Sequence, residues 1–331
     1  MAKRNDNAIR LYSCDFKESF NCSLDDLVVP KGHWAAYMLG VVQQVKKYGF
    51  VLTGFNAVLI SDVPVGGGMS SSAAIECAMI FALNELFDLK LERLEMVKLA
   101  KKAENEFVGV QCGIMDMFAS IMGKEDAVIR LDCRSLLYEY FPLNLYKTKI
   151  VLFDTQVKHS LAGGEYNMRR KQCEEGVALL QPVYPKVESL RDVNFSMLDL
   201  NLKNTATPVV YNRCRFIVEE NLRVQMACQL LIRNDLKEFG RKMYLSHRGL
   251  RELYEVSCKE LDLLVDMAKQ ETGIIGARMM GGGFSGCTIN LIKEEMIEGI
   301  YEKLSKEYFE QTGLELKMYV TAPQKGTERI A

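Results

Sequence analysis

Ile75, Met79, Leu83 and Phe87 recur at every fourth position, and that spacing predicts a helix over 70–87. A second amphipathic helix runs from Leu91 to Glu106, with lysines and glutamates on its outer face. Just upstream, Phe55-Asn-Ala-Val-Leu-Ile-Ser-Asp62 is apolar and β-branched and predicts a strand, as do 126–133 and 149–154. From about 160 to 266 the pattern is helical and highly charged. A strand over Cys287–Ile292 and a helix over Glu294–Phe309 follow, and a strand over Leu314–Val320 closes the pattern. The helix places Met296, Ile297, Ile300, Leu304 and Tyr308 on one face. This alternation predicts a mixed α/β (α+β) fold cut near 140–150, with domains over 1–145 and 146–331.

Composition narrows the class. The 331 residues are 48% hydrophobic, enough for a large core. Lys plus Arg (42) balance Asp plus Glu (43) to a net charge of −1, which argues against a nucleic-acid partner. No run of 18 apolar residues occurs and MAKRNDNAIRLYS has no signal core, so a cytoplasmic protein without membrane contact is expected. The ten cysteines form no CxxC pair and the three histidines are far apart, so reduced, packed thiols are expected rather than a zinc site.

The stretch PVGGGMSSSAAIE, 64–76, sets three glycines against three serines between a predicted strand and a predicted helix. Glycine lets amide N–H groups approach a ligand without a Cβ in the way, and a helix N-terminus favours an anion. A serine cap after a turn needs only one of those hydroxyls. The lysine of GxxxxGK[ST] is absent, as is a GxGxxG with its distant acid. Downstream stand Glu104 and Asp116. A carboxylate can ligate Mg²⁺ or accept an alcohol proton in phosphoryl transfer, and Asp116 could equally cap a helix over Met117–Met122. A second cluster, Gly281-Gly-Gly-Phe-Ser-Gly286, feeds the strand at Cys287 and is either a tight turn or backbone lying close to a ligand.

Together these segments resemble the GHMP family of small-molecule kinases and, within it, the galactokinases. The resemblance rests on PVGGGMSSSAA, Ala103-Glu-Asn-Glu-Phe-Val-Gly-Val-Gln-Cys-Gly-Ile-Met-Asp116, Asp132-Cys-Arg-Ser135, His159-Ser-Leu-Ala162 with Glu165-Tyr-Asn-Met-Arg-Arg170, Tyr254–Cys258 and the Gly281 cluster, and it covers essentially the whole chain. It implies a two-domain GHMP kinase fold with the active site in the inter-domain cleft and ATP-dependent phosphorylation of galactose at its C1 hydroxyl. Gly66, Gly67, Gly68, Met69, Ser70, Ser71 and Ser72 would cradle the ATP phosphates, with Ser72 and Glu104 on Mg²⁺. Asp116 would face the hydroxyl, with Gly113 and Tyr166 on the sugar. Trp34 and Tyr37 would lie near adenine or, as the helical pattern equally allows, pack on the core. A monomer is expected.

Galactokinases also carry a segment resembling GRxNLIGEHTDYxxG, whose arginine pairs with the catalytic aspartate. It has no counterpart among these residues, which contain no Glu-His pair. The N-terminal strands are therefore expected to be missing and turnover by this chain weak. Met117 stands where galactokinases usually have glutamine, and Ser285 replaces a glycine. The competing readings are an ATP- and sugar-binding sensor and a GHMP kinase for another small molecule.

Overall fold

Alternation along β2 (Ala8–Ser13) buries Ile9, Leu11 and Ser13 and leaves Arg10 and Tyr12 outside, the signature of a strand with one face on a core. β2 pairs antiparallel with β3 (Glu18–Ser23), Leu11 opposite Phe20, and parallel with β4 (Phe55–Leu59), Leu11 opposite Ala57. The short β1 (Ala2–Lys3) lies antiparallel to β4, giving the order β1-β4-β2-β3. The computed structural model describes residues 1–157 and 162–330.

Helices α1 (Ala35–Lys47), α2 (Ser71–Phe87), α3 (Arg93–Ala103) and α4 (Met115–Met122) supply the rest of this core, with Leu39, Val42, Ile80, Leu83, Val97 and Phe118 all buried in one cluster. The expected α2 is present. The expected helix to Glu106 stops at Ala103, and a π-helical turn, Glu104–Val108, replaces its end. Strands β5 (Ala127–Leu131) and β6 (Tyr138–Pro142) form a separate two-stranded sheet.

The chain divides into two compact units, 1–140 with 323–331 and 141–322. The expected second domain, 146–331, is thereby corrected at its end. Residues 323–331 return to the first unit, where Gly326 and Thr327 bond to the backbone at Gly123 and Ser120.

The second unit carries an antiparallel sheet in the order β10-β7-β9-β8, from β7 (Thr148–Asp154), β8 (Ile274–Met279), β9 (Cys287–Lys293) and β10 (Lys317–Thr321). Val151 and Phe153 of β7 pack with Leu264 and Val265 of helix Lys259–Ala268 and with Ile300, Leu304 and Tyr308 of helix Ile297–Thr312. Helix α5 (Ala162–Leu180) and helix Pro208–Ile232 build a second cluster around Leu180, Leu198 and Cys214. All ten cysteines are unbridged. Among the described residues no helix is long and apolar enough to cross a membrane.

Candidate active site

The loop after β4 reaches α2 through Gly66 (φ +80°) and Gly68 (φ +71°), a backbone conformation in which an L side chain is strained. No atom lies within 4 Å of where a Cβ on Gly66 would stand, so that stretch of backbone is open to a visitor. Ser70 forms the N-cap in left-handed geometry (φ 56°), and its side chain makes no cap bond. Ser70 thus holds the cap position without the side-chain bond that a serine cap ordinarily makes. The first-turn amides of α2 have no intrahelical partner, and no acidic residue sits in that turn to offset the helix dipole.

Glu104 enters from α3. It is 6% exposed and opens the π-helical turn, a backbone irregularity that rotates the side chains after it relative to a continuous helix. A Cβ on Gly40 of α1 would lie 3.1 Å from the Phe107 side chain and 3.2 Å from the Ala103 carbonyl oxygen, tighter than ordinary contact, so glycine there eases the close approach of α1 to the turn.

Beside Glu104 stands a carboxyl that sequence reasoning missed. Glu76, in α2, is fully buried, and neither of its oxygens has a hydrogen-bond partner. Burial first, and the Glu104 charge second, push its carboxyl up to about 9. The same environment reaches Cys112, whose thiol is pushed up to about 12 by burial and then by Glu104 and Glu76. It also raises the half-buried Tyr37 hydroxyl, through burial, Glu104 and Glu76. Tyr37 therefore stands near the two carboxyls. The signal for Glu76 was available: it follows Ser72 by one helical turn and interrupts an apolar face.

Asp116 lies in the first turn of α4, not at its N-cap. That position belongs to Ile114, so the capping alternative falls because the helix begins earlier than its apolar pattern suggested. Asp116 is half-buried and Gly113, just before the helix, is exposed with open space around its Cα. Met117 is buried in the core. The buried Cys77 thiol joins the elements: burial pushes it up to about 12, opposed by a hydrogen bond with Ser120, and Glu76, Glu104 and Asp116 all add to the rise.

Trp34 is 7% exposed, and its indole N–H donates to Glu18 Oε2 at 2.8 Å. It packs within the core cluster of the first unit. Tyr166 falls within α5, and its side chain lies outside the described residues, as do His159, Ser160 and Leu161.

The Gly281 cluster belongs to the second unit. Phe284 N–H donates to the Val256 carbonyl at 2.7 Å, and a Cβ on Gly283 would collide with that same oxygen. Arg169 of α5, buried, donates to the carbonyls of Tyr254 and Glu255 at 2.8 Å and lies over the Phe284 ring. The cluster is a braced turn.

Comparison with known proteins places this geometry. The model of the GHMP kinases N terminal domain matches residues 36–124 and that of the GHMP kinases C terminal matches 227–311. The galactokinase of Clostridium acetobutylicum is 40% identical over 334 residues, covering 100% of this chain and 86% of its own. That of Thermotoga neapolitana is 41% identical over 297 residues, covering 90% and 82%. The crystal structure of Lactococcus lactis galactokinase complexed with galactose superposes with a TM-score of 0.94 at 31% identity, covering 99% of this chain and 85% of that one. A mevalonate kinase structure at 17% identity (TM-score 0.64) shares the fold alone. The chain belongs to the galactokinases of the GHMP kinase family, and it is an ATP-dependent sugar kinase.

Proposed function

We propose that this chain transfers the γ-phosphoryl group of ATP to the C1 hydroxyl of galactose. The observation that carries the reading is the buried, unpartnered carboxyl of Glu76, with buried Glu104 acting on it, in a helix whose N-terminus opens onto a glycine-rich loop. Support for the sugar comes from the galactokinase relatives and from the galactose-bound Lactococcus structure.

Gly66 to Ser72 would hold the triphosphate. Positive-φ glycines present amides, α2 presents its positive end, and Ser70 and Ser71 add hydroxyl donors. A divalent cation fits the residues present. Glu104 and Glu76 are buried carboxyls with no described lysine or arginine paired to them, and the Ser72 hydroxyl lies one turn from Glu76. Among the described residues no three His, Cys, Asp or Glu side chains form a ready cage. Mg²⁺ binds through one or two carboxylates and substrate phosphates. Ser72 and Glu104 would hold it, and when bound it would neutralise charge between the β- and γ-phosphates.

Asp116 accepts the C1 hydroxyl proton as the sugar oxygen forms its bond to phosphorus and the bond to the ADP oxygen breaks. Gly113 leaves room for the sugar beside it. We place the enzyme in the cytoplasm as a monomer.

A panel of hexoses in an ADP-release assay tests the substrate. Galactose should give the highest kcat/KM. A different hexose or a non-sugar alcohol in first place would point to another GHMP activity, and galactose binding without ADP release would point to a sensor.

A further inference from the structure

A buried carboxyl with no hydrogen bond is costly, and replacement by an uncharged side chain of like size is usually neutral or stabilising. Glu76 is such a group: fully buried, both oxygens unpartnered. Its place in α2 says where it is directed. Residues one turn apart share a helix face, and helical side chains lean toward the N-terminus, so Glu76 leans toward Ser72. Its surroundings are of one sign. Glu104 acts on Glu76, and the two together act on Tyr37 and Cys112, with no lysine or arginine among the charges that reach them.

We infer that Glu76 is a positioning residue for the divalent cation, a second carboxylate that completes the site of Ser72 and Glu104. This rests on the cation reading above and extends it to a residue outside the loop and outside the Ser72–Glu104 pair. A positive ion supplies the partner that the protein does not give Glu76, and Glu76 in turn keeps the ion at the N-terminal turn of α2.

The test is calorimetric binding of ATP to the full chain with Mg²⁺ and with Mg²⁺ chelated, for wild type, Glu104→Gln and Glu76→Gln. Mg²⁺ should tighten wild-type binding, and Glu104→Gln should lose most of that gain. Glu76→Gln should weaken Mg²⁺-ATP binding by about 10- to 100-fold. It should bind chelated ATP as well as wild type or better, and melt no lower. If Glu76→Gln binds Mg²⁺-ATP like wild type while Glu104→Gln does not, the role of Glu76 is overturned and the cation reading stands. If both variants match wild type, the cation reading itself fails. Should Glu76→Gln not fold, Glu76→Asp keeps the charge and shortens the reach. A loss confined to Mg²⁺-ATP then supports the inference, and an equal loss with and without Mg²⁺ overturns it.

Discussion

The amide of Gly326 donates to the carbonyl of Gly123 at 2.8 Å, and neither position has room for a Cβ. A side chain on Gly326 would strike the Ile121 carbonyl, and one on Gly123 would lie 2.9 Å from that of Gln324. Next along the chain, the Thr327 amide and hydroxyl both donate to the Ser120 carbonyl, at 2.8 and 2.9 Å. The last residues thus clasp the C-terminal end of α4, the helix whose first turn carries Asp116. Gly326→Val should lower stability by roughly 1–3 kcal/mol, the cost of forcing atoms into a filled site, read as a fall in melting temperature. An unchanged melting temperature would mean the clasp holds nothing.

At the phosphate loop the expected effect falls on the nucleotide. Gly66→Ala meets no neighbour, so its cost comes from positive φ, of order 1 kcal/mol. The fold should survive with the loop re-aimed. KM for ATP should rise by about tenfold or more while KM for the sugar moves little. An equal rise in both would place the loop elsewhere in the chemistry.

Acid stability should report on the second unit. Burial pushes the Asp262 carboxyl up, but His247, Ser257 and Arg251 beside it outweigh burial and hold it below its ordinary value. His247 Nε2 lies 3.2 Å from Asp262 Oδ1, and Arg251 Nε is 3.2 Å from Oδ2. A depressed carboxyl stabilises the fold above its unfolded value, about 4, and that share is lost as pH falls through the lower folded value. Asp262→Asn should therefore melt below wild type at pH 7, and the two curves should converge below about pH 4. A gap that persists into acid would assign the effect to packing.

How much of this was legible beforehand depends on which signal a segment carries. The period of Ile75, Met79, Leu83 and Phe87 and the β-branched run at 149–154 named α2 and β7, because burial on one face leaves a periodic mark. β3, ESFNCS, has mostly polar, exposed positions and no such mark. The π-turn at Glu104 is invisible for another reason: it changes hydrogen-bond partners, not residue types. The return of 323–331 to the first unit is tertiary, a matter of two glycines far apart in sequence. At the site, the loop glycines, Glu104 and Asp116 were readable as residue types. Glu76 hid in plain view because a glutamate inside a helix normally faces water. Only its burial reveals it.

The most direct measurement follows phosphorus NMR of ATP and galactose with the wild-type chain and with Asp116→Asn. The account predicts galactose 1-phosphate as the product, formed at least about 100-fold more slowly by the variant. Product phosphorylated at another hydroxyl, or a rate indifferent to Asp116→Asn, would contradict it.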